Sequence, residues 1–160
     1  MTEVLRPGVL AGVRMAVAGP GAVGDAVAAR ARALGASVGV EGELDALVWD
    51  GGATSGRAAL DGAWDVLQPA VAGPLAGGGL IVLLAPPPGD AHAEAARAGL
   101  ENMARTLSIE WARLGIRPVA VLPGEPGDVA ELVAFLASPA GAYYSGCVFD
   151  LGAVNVNPRM

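Results

Sequence analysis

The sequence predicts an α/β protein with a Rossmann-like, doubly wound parallel sheet, truncated to about five to six strands. Three observations carry that prediction. Short apolar runs alternate with segments of helical spacing, the first run opens through a glycine turn directly into a helix, and the later runs stop abruptly at Gly or Pro. At 160 residues the chain holds one domain with a sizeable core and is short for two. We read residues 1–154 as that domain and Asn155–Met160 as a tail. The apolar residues are mostly small, which suits helices packed closely on a sheet.

In chain order, Met15–Ala18 is an apolar run suited to a buried strand. Ala26, Val27, Ala29, Ala33 and Leu34 then recur at helical spacing and stop at Gly35, a C-cap residue. Ala36–Val40 resembles a second strand, and Ala46–Trp49 a further one that meets Asp50-Gly51-Gly52. Leu80–Leu84 runs into Pro86-Pro87-Pro88. From Asp90 to Leu114, Ala96, Leu100, Met103, Leu107 and Trp111 form an apolar stripe at spacings of three and four. Pro118–Leu122 is a strand stopped by Pro123-Gly124; a helix over Asp128–Leu136 follows, and Val148–Leu151 closes the sheet.

Only Glu41–Glu43 separates the second strand from the next. Three extended residues reach roughly 10 Å, barely two strand spacings. The second strand is therefore expected to be short or absent, and a third strand with its helices to be missing. It follows that Met15–Ala18 lies at or next to the sheet edge with Leu44–Trp49 as its inner neighbour, the edge being covered by the N-terminal segment or a second subunit.

The charge of −6, with arginines scattered among acids, argues against nucleic acid. No apolar run approaches the roughly 18 residues of a membrane span, and the N-terminus has no signal-peptide pattern. The expectation is a cytoplasmic protein without membrane contact. A single Cys147 excludes an internal disulfide, and with His92 as the one histidine no transition-metal site is expected.

Gly19-Pro20-Gly21-Ala22-Val23-Gly24 matches G-x-G-x-x-G between a strand and a helix, the setting in which glycines admit a dinucleotide pyrophosphate to the helix N-terminus. Pro20 removes one N–H donor, and Asp25 places a carboxylate where phosphates would sit. Candidate cofactor residues are Gly19, Gly21 and Gly24, with Asp50 and Gly51 at the crevice. Glu41, about twenty residues on, is either a ribose ligand or a solvated loop carboxylate. The expected cofactor state is none, or weakly held NAD(P).

The stretch Gly99–Asp150, together with Leu44–Gly52, resembles the short-chain dehydrogenase/reductases, whose strand at the latter position ends Asn-Asn-Ala-Gly and whose glycine motif is one residue longer. The resemblance implies a Tyr-x-x-x-Lys pair, yet all ten basic residues are arginine. Arg97-Ala-Gly-Leu-Glu-Asn102 resembles the family's Lys-Ala-Ala-Leu-Glu-Asn, which puts Arg97 at the lysine position and Ala93 at the tyrosine position. Arg keeps the charge without the geometry, and Ala has no proton to give. Leu84–Pro88 replaces the family's serine pair, and no Asn lies between Ala53 and Gly79 to supply the fourth catalytic member. No catalytic residue is therefore expected. His92, beside the empty tyrosine position, is either an exposed or capping residue or an alternative general acid. After Pro123-Gly124 the family's substrate-covering segment is replaced by Glu125–Asp128. Family tetramers pair the helix corresponding to Asp90–Leu114 across one two-fold axis and the elements corresponding to Asp128–Leu151 across another.

The leading expectation is a non-catalytic, truncated short-chain dehydrogenase-like protein, a structural or regulatory subunit that associates with itself or with a catalytic homologue. In that reading Trp111, or Tyr143 and Tyr144, face the partner while Leu100, Met103 and Leu107 face the sheet. The alternative is an NAD(P)-dependent oxidoreductase with an atypical site around His92 and Arg97. A third is a small-ligand module using the crevice near Asp50 and Pro123.

Overall fold

Six parallel strands form one sheet in the order β2-β1-β3-β4-β5-β6 in a computed structural model that describes residues 4–152. The tail read over Asn155–Met160 lies outside the described residues. The elements are β1 (Arg14–Ala18), α1 (Val23–Ala33), β2 (Ser37–Val38), β3 (Ala46–Asp50), α2 (Gly56–Ala72) and β4 (Gly79–Leu84), followed by α3 (Ala91–Glu110), β5 (Ile116–Leu122), α4 (Pro126–Ala137) and β6 (Val148–Asp150).

The edge expectation is met. β2 has two residues and pairs with β1 only through Arg14–Ser37 and Met15–Val38, whereas β3 pairs with β1 over Met15–Ala18. The β2–β3 connection is short because it need only cross β1. Arg14 pins its far end, with Nε 3.0 Å from Asp45 Oδ2 and Nη1 3.0 Å from Glu43 Oε2. The Arg14 guanidinium, hydrogen-bonded to Asp45, holds that carboxyl below its usual range. Leu10 is buried beside α1, donating its N–H to Leu34 O at 3.0 Å, and Ser37 N donates to Val13 O at 2.9 Å. The N-terminal segment thus packs where the sheet begins.

The central strands β3 and β4 are buried on both faces, as parallel strands between helix layers require. On one side α1 and α4 cover Met15, Val48, Val82 and Val119; on the other, α2 and α3 cover Leu47, Trp49, Ile81 and Leu83. An Arg30–Glu131 ion pair joins α1 to α4.

Helix α2 was not expected from the sequence. Its interior holds Gly62 and Pro69, two residues that weaken a helix, and its inward face is mostly small: Ala59, Ala63 and Ala70 beside Leu67. Burial of that face against α3 and the sheet overrides propensity. Leu100 and Leu107 are buried as expected, but Met103 is only partly so and lies toward α2. Trp111 stacks on Trp64 with centroids 6.1 Å apart. Tyr144 is turned inward, edge-on to Phe135 and Phe149 at 5.7 and 5.6 Å, so of the two tyrosines only Tyr143, 94% exposed, is free to meet a partner.

Candidate functional site

The glycine turn between β1 and α1 is closed around a side chain from the neighbouring strand. Asp50, the last residue of β3, is 1% exposed. Its Oδ2 accepts the Gly24 N–H at 2.6 Å and its Oδ1 the Gly52 N–H at 2.9 Å, while its carbonyl accepts from Gly21 N at 3.2 Å. A carboxyl group thus occupies the anion position at the α1 N-terminus, where a helix presents unpaired N–H groups. The glycines are fitted to it. A Cβ at Gly21 would overlap the Asp50 carboxyl, and one at Gly19, whose φ is +108°, would overlap the Asp50 carbonyl. Gly24 would gain a carbon 2.8 Å from Val17. All three glycines sequence reasoning chose come together here around Asp50, an internal residue to which Gly21 and Gly24 donate.

In front of the turn lies an open cleft of about 430 Å³ that includes Val17, Asp25, Arg32, Val38 and Gly39. Asp25 is exposed in the first turn of α1. Glu41 is exposed in the β2–β3 loop and is not among the residues lining this cleft. Gly51 is buried, donates its N–H to Leu84 O at 2.9 Å, and leaves no room for a side chain against the Trp49 ring. Its role here is packing.

Beyond the carboxyl end of β4, Ala93 and Arg97, the positions that the sequence resemblance sets against Tyr-x-x-x-Lys, lie on the first turns of α3. Asp90 caps that helix, its Oδ1 accepting from His92 N and Ala93 N at 3.0 Å each, and these bonds hold its carboxyl below the usual range. His92 is exposed, with its ring near Gly56 at the start of α2. Ala93 is half-buried and bears no polar atom on its side chain. Arg97 is buried, and its Nη1 donates to the Pro86 carbonyl at 2.9 Å, with Glu94 Oε2 3.9 Å from Nε. The guanidinium therefore ties α3 to the strand end. Sequence reasoning had no means of finding Pro86 as the acceptor of Arg97; the triple proline, which removes N–H groups and leaves carbonyls, was the available signal. Among the described residues no group of three or more His, Cys, Asp or Glu side chains converges as a metal site would require, and no helix is long and apolar enough to cross a membrane.

An all-parallel sheet between two helix layers, with a glycine turn between its first strand and first helix, is a Rossmann-like architecture. The short-chain dehydrogenase/reductase resemblance read in the sequence is supported by partial sequence relatives and by solved dehydrogenases of the same fold. Two tropinone reductase homologues of Arabidopsis thaliana are 32% and 33% identical to this chain over a stretch that covers, in each case, 38% of it and 35% of the relative. The match thus spans about a third of the length of these curated relatives. No family model matches the chain. Its fold is shared with a citronellol catabolism dehydrogenase of Pseudomonas aeruginosa, at a TM-score of 0.78 and 22% identity over 92% of this chain and 96% of that one. A hydroxysteroid dehydrogenase of Escherichia coli superimposes with a TM-score of 0.69 and 18% identity, over 89% and 97% of the two chains.

Proposed function

We propose that this chain is a non-catalytic short-chain dehydrogenase-like subunit that acts by association, with itself or with a catalytic homologue. The observation that carries the reading is that both polar positions an oxidoreductase would need for its ligands are engaged internally: the α1 N-terminus by Asp50, and Arg97 by Pro86. A diphosphate does not fit this turn as built. It would have to displace a buried carboxyl from two N–H groups and approach Asp25, while the two-residue β2 gives an adenosine little wall.

Association is supported by the α2–α3 face. Trp64 on α2 is 41% and Ile109 on α3 78% exposed, large apolar side chains left in water. The expected result is a dimer or larger species by size-exclusion chromatography with light scattering, and dissociation on Trp64→Glu. A strict monomer with no homologue co-purifying from the source cell would end this reading.

The cleft before the glycine turn favours a second reading, an NAD(P)-dependent oxidoreductase with an atypical site around His92 and Arg97. Calorimetric titration with NADH and NADPH separates the two. Binding at millimolar cofactor or below supports the enzyme, and no heat at that concentration disposes of it.

A further inference from the structure

We draw no further inference here: the strongest candidate, the apolar groove between α2 and α3 lined by Leu60, Trp64, Gly99 and Met103, belongs to the association face already proposed, and nothing in the structure shows what covers it.

Discussion

The turns that follow β1 and β4 stand at the same edge of the sheet, and each is closed by a polar side chain, but in different ways. After β1, three glycines wrap a buried carboxyl so closely that no Cβ fits at any of them. After β4, three prolines of which only Pro86 is buried lead to a cap on Asp90, and a single hydrogen bond from Arg97 reaches back to Pro86. The first turn is over-determined by packing; the second depends on one long side chain. The two turns therefore differ in how readily each would accept a change. A lysine at position 97 meets few obstacles, whereas opening the glycine turn means rebuilding the end of β3.

The contrast yields predictions that fall in order of size. Gly21→Ala, by forcing a methyl into the Asp50 carboxyl, should lower stability by about 3 kcal/mol in urea unfolding. Gly77→Ala, whose Cβ meets nothing, should stay within about 0.5 kcal/mol and serves as its control. Asp50→Ala removes the acceptor of two N–H groups and should cost about 2 kcal/mol, with Asp50→Asn, which keeps one acceptor oxygen, nearer half of that. If Asp50→Ala proved neutral, the closed description of the first turn would be wrong. Arg97→Met should cost about 1 kcal/mol through loss of the Pro86 bond, and Arg97→Lys should leave reductase activity with NADPH undetectable because Ala93 still has no proton to donate. A cost for Arg97→Met above that of Asp50→Ala would reverse the comparison.

The smallest effect lies outside both turns. Asp45 has a folded-state pKa below its ordinary 3.8, chiefly through its hydrogen bond to Arg14. Its contribution is therefore fully present above about pH 4 and lost as pH falls from there through the depressed folded value. Both partners are two-fifths exposed, so screening holds the contribution below about 1 kcal/mol. The urea midpoint of the wild type should fall between pH 5 and pH 2.5 by more than that of Asp45→Asn; equal falls would remove Asp45 from the account.

Much of the fold was legible because each buried strand is an uninterrupted apolar run ended by Gly or Pro, and because the three residues Glu41–Glu43 limit what the chain reaches. Helix α2 was not legible. Pro69 and Gly62 read as breakers, and alanines carry too little contrast to mark a face, whereas in the folded chain they are what allows α2 to sit tightly on Trp49 and α3. At the site, the glycine spacing identified the turn but not its occupant. Asp50 was chosen as a residue facing a ligand, and nothing in a linear pattern distinguishes a carboxylate that points out from one that bonds inward; the sole hint was an acid at the end of a wholly apolar strand, followed by two glycines whose N–H groups needed acceptors. Tyr144 was misplaced for a related reason, since the aromatic partners that draw it inward, Phe135 and Phe149, come from separate elements.

The outermost strands, two residues at one side and three at the other, offer a foreign chain almost no ladder to extend. A strand docking on either margin would form two or three rungs, too few to offset the entropy of holding it there. Polymerisation by sheet growth is thereby discouraged without any guarding lysine, and concentrated preparations should resist seeding of thioflavin-positive fibres so long as the native sheet persists.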